Sequence, residues 1–110
     1  SDPTMGVAHA ARLAWELGCN VVKVPWTGSE ESFRIVTSSV PIPVLISGGG
    51  RDVEFSQILE LVEQSINAGG SGVCIGRHVF AAKEPASHIR SLRAIVHDGA
   101  SAEEAARYLG

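Results

Sequence analysis

Residues 20–26, NVVKVPW, form a short apolar run that carries a single charge, Lys23. Two similar runs follow along the chain, PVLIS at 43–47 and GVCIG at 72–76. None of the three alternates cleanly between apolar and polar residues. A continuous apolar run of this length is typical of a strand covered on both faces, as in a parallel sheet. The runs therefore predict three buried parallel strands.

Segments with helical periodicity precede, separate and follow these strands. The pattern predicts helices at residues 5–17, 29–38, 53–68, 86–97 and 101–109. Gly18 suits the end of the first, Ser29 can cap the second, and Ser101 begins SAEE, a capping serine followed by acidic residues. Strands that alternate with helices pair in parallel through right-handed crossovers. The order predicts an α/β fold, as in a section of a (β/α) barrel or of a doubly wound sheet.

The composition excludes several classes of protein. The chain has 110 residues, of which 45% are hydrophobic, and a net charge of −3. Such a chain can bury a core, which excludes disorder, and its acidic balance argues against binding to nucleic acid. No apolar run reaches the roughly 18 residues of a membrane helix. Cys19 and Cys74 lie far apart without a metal-binding motif, so we expect both to be buried and reduced in a cytoplasmic protein.

Three parallel strands alone would leave two unpaired sheet edges, and such edges attract further strands. The 110 residues are also far fewer than the roughly 250 that are typical of a (β/α) barrel. We therefore expect residues 1–110 to form a single α/β segment of a longer (β/α) barrel or doubly wound sheet. The open edges further predict that the isolated chain is a homo-oligomer.

Lys23 is the strongest candidate for a catalytic residue. Its neighbours Val22 and Val24 are apolar, so its ammonium group must either face a wet cavity or lose its water. Loss of water lowers the pKa of a lysine from about 10.4 towards roughly 7–8 and yields a free amine nucleophile, as Schiff-base chemistry requires. The alternative is a side chain that protects an edge strand or reaches solvent without a chemical role.

Glycines and an arginine follow the second and third strands, as SGGG at 47–50 and as Gly76 and Arg77. Glycine N–H groups can approach an anion closely, and a guanidinium can clamp a phosphate. Each loop alone is more typical of a plain turn or a surface salt bridge. Loops after consecutive strands, with the start of a short helix, nevertheless hold phosphate in (β/α) barrels. The pair predicts a phosphate site, and a short helix-like segment follows at 78–80.

The other polar candidates carry weaker signals. Four histidines are spread along the chain: His9, His78, His88 and His97. None has a partner at metal-ligand spacing, so we expect packing or surface positions for His9, His88 and His97. His78 lies beside Arg77 and could touch a ligand. Thr27 could contact substrate or belong to a helix cap, and Cys74 is expected to be inert packing. No metal ion or cofactor is expected.

Five motifs together resemble a known superfamily. They are VAHAARLAWELG at 7–18, NVVKVPWTGSEESF at 20–33, PIPVLISGGG at 41–50, GGSGVCIGRHVF at 69–80 and RAIVHDGASAEEA at 93–105. They look like the C-terminal part of archaeal-type class I fructose-bisphosphate aldolases. They are also similar to the aminodideoxyheptulosonate synthases and autoinducer phosphate thiolases of that superfamily. The resemblance implies a (β/α)8 barrel, of which this chain would supply about strands six to eight with their flanking helices.

The resemblance also implies roles for single residues. The lysine of the family's VKxxxTG motif, which forms the Schiff base, falls on Lys23. Substrate phosphate would be bound by the residues that match two further motifs: Ser47, Gly48, Gly49, Gly76 and Arg77. Trp26 stands where many relatives have Tyr, and Arg51 stands where many have Lys. The first difference would alter or remove a hydrogen bond, and the second keeps a cation but changes the turn.

The sequence therefore predicts a Schiff-base aldolase that forms or cleaves a C–C bond of a phosphorylated ketose such as fructose bisphosphate. The family takes its acid/base groups from earlier strands that this chain lacks, so the isolated chain is expected to turn over poorly or not at all. Two alternatives stay open. One is a sister enzyme, such as the heptulosonate synthase or the thiolase, and the other is a non-catalytic fragment for phosphate binding or assembly.

Overall fold

The computed structural model describes residues 2–47, 53–74 and 85–109. The elements in these ranges are α1 (Thr4–Glu16), β1 (Val22–Val24), α2 (Glu30–Ser38), β2 (Val44–Ser47), α3 (Phe55–Asn67), β3 (Gly72–Cys74), α4 (Pro85–Asp98), α5 (Ala102–Ala106) and a 3-10 turn (Arg107–Leu109). The predicted order of helices and strands is confirmed across the described residues. The strands are shorter than their apolar runs, and the helix-like segment predicted at 78–80 lies outside the described residues.

The helix ends follow the local signals in the sequence. The Ser29 side chain accepts a hydrogen bond from the Ser32 N–H at 3.1 Å and caps α2. At α5, Ser101 Oγ accepts from the Glu104 N–H at 3.1 Å, and the Glu104 carboxylate accepts from the Ser101 N–H at 3.0 Å. This reciprocal pair is a capping box. Gly18 has a φ of 100° after α1, a conformation that glycine adopts without steric cost.

The three strands form one parallel sheet in the order β1-β2-β3. Because each right-handed crossover moves on by one strand in the same direction, the connecting helices fall on the same face of the sheet. In agreement, α2 packs against both α1 and α3, and α3 packs against α4. The helices therefore form one layer. The sequence predicted strands covered on both faces, whereas helices cover only one face in the described residues.

The core lies between this helical layer and the covered face of the sheet. Its main buried side chains are Val24, Val44 and Ile46 from the sheet, with Phe33, Val36, Ile58, Leu59, Val62 and Ile95 from the helices. Successive side chains of a strand point to opposite faces. The residues that alternate with the buried valines and isoleucine therefore point to the other face, which we call the uncovered face.

The prediction that both cysteines are buried is wrong, because Cys19 and Cys74 are exposed. Val73 takes the helix-facing position in β3, so the next residue, Cys74, points to the uncovered face. Cys19 lies in the connection between α1 and β1. Both thiols are free rather than joined in a disulfide. An apolar run alone does not reveal which of its residues face the helices.

Candidate functional site

The candidate residues of β1 and β2 lie on the uncovered face. Lys23 pairs with Leu45 in the sheet register, and Leu45 pairs with Gly72 on the other side. These three residues form one row across the sheet. Ser47 pairs with Cys74 and begins the next row towards the carboxyl ends of the strands. With strands about 4.8 Å apart and a rise of about 3.3 Å per residue, the Cα atoms of Lys23 and Ser47 lie about 8 Å apart.

Lys23 is exposed on this face. The sequence left two environments open for its ammonium group, a wet surface or a site without water, and in the described residues the group faces solvent. No hydrogen bond or salt bridge to Lys23 occurs among the described residues. Lys23 is one of the residues that line a groove between β1 and α1, together with Val7, Ala10 and Pro25. The amine is therefore free to approach a bound molecule on the uncovered face.

Ser47 is the part of the predicted phosphate site that the structure describes. It is half-buried at the last position of β2. The other predicted phosphate-binding residues lie outside the described residues: Gly48, Gly49, Gly76 and Arg77. Because Ser47 pairs with Cys74 in parallel strands, β2 and β3 end at the same edge of the sheet. The predicted phosphate-binding residues follow these two strand ends in the sequence. Arg51 and His78 also lie outside the described residues.

The segment after β1 is tied to α2 by hydroxyl groups. Thr27 is only 7% exposed, and its Oγ1 lies 2.7 Å from Ser32 Oγ. Ser32 Oγ also donates to the Ser29 carbonyl at 3.1 Å. The sequence left a substrate contact or a helix cap open for Thr27, and in the structure its hydroxyl joins the capping network of α2. This network fixes the carboxyl end of the strand that carries Lys23.

Trp26 packs on the helical side of the sheet. Its ring stacks on Phe33 of α2 with the ring centroids 5.0 Å apart and an interplanar angle of 35°. The indole therefore packs between the end of β1 and α2. Sequence reasoning missed this contact, although two aromatic residues that flank a capping serine are a usable signal for it. The stack adds a second tie between β1 and α2.

The three described histidines lie at packing or surface positions, as predicted. His9 and His97 are exposed, while His88 is half-buried and its ring lies 4.2 Å from that of Phe55. Within residues 2–47, 53–74 and 85–109, no three His, Cys, Asp or Glu side chains come close enough to hold a metal ion. None of the helices in the same ranges has both the length and the apolar character needed to span a membrane.

Comparisons with known proteins add a family signal to this geometry. A family model described as DeoC/LacD family aldolase matches residues 3–82. The chain is 37% identical over 97 residues to a 2-amino-4,5-dihydroxy-6-oxo-7-(phosphonooxy)heptanoate synthase of Streptomyces griseus, with 88% of this chain and 35% of that protein covered. It is 34% identical over 103 residues to an uncharacterised aldolase of Saccharolobus solfataricus, with 94% and 38% covered.

Solved structures show the same relation. An archaeal fructose 1,6-bisphosphate aldolase superposes with a TM-score of 0.80 at 33% identity, covering 87% of this chain and 38% of that one. A second neighbour, at 33% identity and a TM-score of 0.77, is an archaeal aldolase whose catalytic lysine carries a carbinolamine intermediate of its substrate. A fructose-bisphosphate aldolase of Slackia heliotrinireducens, at 21% identity and a TM-score of 0.81, supports the fold alone. The chain thus spans little more than a third of each relative.

Proposed function

The chain belongs to the DeoC/LacD aldolase family, and on this premise we propose that it supplies strands six to eight of a (β/α)8 barrel in a Schiff-base aldolase. The proposed substrate is a phosphorylated ketose such as fructose bisphosphate. The observation that carries the proposal is the register of the sheet. It puts Lys23 on the same face as Ser47, one row away from the edge at which β2 and β3 end.

In this proposal Lys23 is the nucleophile. Its neutral amine attacks the ketose carbonyl carbon, the resulting carbinolamine loses water, and an iminium ion forms. The iminium nitrogen accepts the electron pair of the C–C bond that breaks, or releases it when the bond forms. No metal ion is required for these steps, because the iminium itself serves as the electron sink.

Phosphate binding would hold the carbonyl within reach of this amine. We assign that role to Ser47, Gly48, Gly49, Gly76 and Arg77. The Cα separation of about 8 Å between Lys23 and Ser47 leaves room for a carbonyl carbon between the extended lysine and a bound phosphate. Fixing a substrate at one end in this way makes the attack effectively intramolecular, which is a large part of the advantage of an enzyme.

Completion of the barrel would finish the site in two respects. Further strands would supply the acid and base groups for proton transfer. They would also cover the uncovered face and exclude water from the amine. The share of 35–38% that the chain covers in its relatives matches three of eight βα units. We expect little or no turnover from the 110 residues alone.

A sister reaction is a specific second candidate. The 37% identity to the Streptomyces griseus heptanoate synthase is higher than the 33% identity to the archaeal aldolase structure. Both relatives share this segment, and substrate choice in a barrel depends on loops from all eight strands. Under the remaining alternative, a non-catalytic fragment would bind phosphorylated ligand without any covalent step.

The test is a panel of phosphorylated ketoses and aldehydes assayed with the complete protein. The chain has two lysines, Lys23 and Lys83, which provide a matched pair. We expect Lys23→Arg to lower turnover by at least about 10³-fold, because it keeps the charge but removes the amine nucleophile. Lys83→Arg is expected to retain turnover. Equal activity of Lys23→Arg and the parent would refute the role of Lys23, and the best substrate would separate the aldolase from its sister enzymes.

We also propose that the protein works in the cytoplasm and that the isolated chain associates into a homo-oligomer through its open sheet edges. Both described cysteines are unpaired thiols, as is usual in a reducing compartment. The outer edges of β1 and β3 pair with no further strand among the described residues. Light scattering of the isolated chain is expected to give a mass above that of one copy. A stable monomer at high concentration would contradict the association.

A further inference from the structure

In the row that contains Lys23, the side chain of Leu45 leans towards Gly72 rather than towards the lysine. Leu45 lies in the central strand, with Lys23 on one side and Gly72 on the other. A Cβ atom built on Gly72 would lie 3.2 Å from Leu45 Cδ2. The leucine side chain therefore extends over β3 and occupies the space that a side chain at Gly72 would need.

Two further observations agree with this direction of the leucine. Gly72 is buried although it lies on the uncovered face, as expected if the side chain of Leu45 covers it. Leu45 also lines the groove along the outer edge of β3, beside Ser71 and Val73, whereas Lys23 lines the groove along the outer edge of β1. The leucine thus leans away from the lysine.

The backbone of Gly72 does not itself require glycine. Its φ lies outside the positive range that disfavours other residues. A larger residue would instead meet the Cδ2 methyl group of Leu45, at a distance shorter than ordinary side-chain contacts. A larger side chain at this position would displace Leu45 towards β1, and among the described residues its neighbour in the row on that side is Lys23.

We propose that Gly72 is a positioning residue for the Schiff-base step. By leaving room for Leu45 over β3, it keeps the space beside Lys23 open for the carbonyl group of a phosphorylated ketose. This inference rests on the proposed function, since it concerns access to the same amine. It assigns Gly72 and Leu45 a joint role that acts through the lysine rather than through contact with substrate.

The test measures borohydride trapping of dihydroxyacetone phosphate on the complete protein, as a function of ligand concentration. We expect Gly72→Val to lower the maximal trapping rate by about tenfold, because the displaced leucine crowds the amine. The half-saturating concentration should change far less, since phosphate binding is left intact. Leu45→Ala added to Gly72→Val should restore the rate to within about threefold of the parent, because the crowding group is gone.

Two controls separate positioning from general damage to the strand. Val73→Ala alters β3 on its helical side and is expected to trap at the parental rate. Should Gly72→Val fail to fold, judged by circular dichroism, Gly72→Ala serves instead, with an expected fall of about threefold that Leu45→Ala again reverses.

The outcomes distinguish this inference from the proposed function. A parent protein without any Lys23 adduct would overturn both. A parent that forms the adduct, together with a folded Gly72→Val that traps as fast, would overturn the positioning role alone. The same holds if the double variant is as slow as Gly72→Val.

Discussion

Gly70→Ala is predicted to destabilise the fold strongly. Gly70 lies between α3 and β3, and its N–H donates to the Ser65 carbonyl at 2.8 Å. A Cβ atom at this position would lie 2.8 Å from that same carbonyl oxygen and closer still to the Ser65 hydroxyl. The backbone contact cannot be relieved by a side-chain rotation, so the chain must shift where it enters β3.

The size of the effect follows from the two contacts. Overpacking against a fixed backbone costs about 1–3 kcal/mol. We expect about 3 kcal/mol here, because the forced shift would also disturb the hydrogen bond of 2.8 Å from Gly70 to Ser65. For a domain of this size, such a loss lowers the melting temperature by about 12–24 °C. The assay is thermal unfolding followed by far-UV circular dichroism.

A second variant separates the two contacts of the alanine. The Ser65 hydroxyl is fully buried and has no hydrogen-bond partner among the described residues. Removing it by Ser65→Ala is expected to be neutral or to stabilise by up to about 1 kcal/mol. The double variant with Gly70→Ala should recover only part of the loss, because the carbonyl contact stays. A melting temperature of Gly70→Ala within 3 °C of the parent, about half a kcal/mol, would refute this reasoning.

Three further predictions concern the tie between α2 and the end of α3 and the capping box of α5. Thr37→Val removes the hydrogen bond of 2.7 Å to the Ala68 carbonyl and should lower the free energy of unfolding in urea by about 1 kcal/mol, while Thr37→Ser should retain it. Ser101→Ala removes the cap of α5 and should cost about 1 kcal/mol by the same measurement; no change would contradict the capping box. The hydrogen bond from the Ser101 N–H lowers the pKa of Glu104 below that of an unfolded glutamate. The stability that this carboxylate adds is therefore present above the unfolded pKa and is lost as the pH falls through the lowered pKa of the folded protein. The melting temperature should therefore fall less steeply between pH 5 and pH 3 in Glu104→Gln than in the parent, and equal slopes would argue against the assignment.

The helices and strands could be predicted because their signals are local. A capping serine such as Ser29 or Ser101 satisfies N–H groups within its own turn, so its effect is visible in a few residues of sequence. The β-branched run that contains Lys23 is likewise too short for a helix and suits a strand. These features do not depend on distant parts of the chain.

The side to which each strand residue points could not be predicted. The run around Lys23 is apolar on both sides of the lysine, so it lacks the alternation that identifies a covered face. Cys74 was expected in the core for this reason, and only the register with Ser47 shows that it points away from the helices. The contact between Leu45 and Gly72 depends on the same register. It joins residues 27 positions apart, which local patterns do not connect.

The candidate site was accessible to sequence reasoning in part. Lys23 is conspicuous as the single charge in a predicted strand, and the family resemblance assigns it a role that its exposed position allows. The structure adds the common face and the row spacing between Lys23 and Ser47. The glycines and Arg77 of the phosphate loops stay predictions.

The most direct test of the account is peptide mapping of the adduct that borohydride fixes on the complete protein in the presence of dihydroxyacetone phosphate. We predict that mass spectrometry finds the reduced adduct on the peptide that contains Lys23, and that it disappears in Lys23→Arg. An adduct on Lys83 instead, or no adduct in a protein that binds the ligand, would contradict the account.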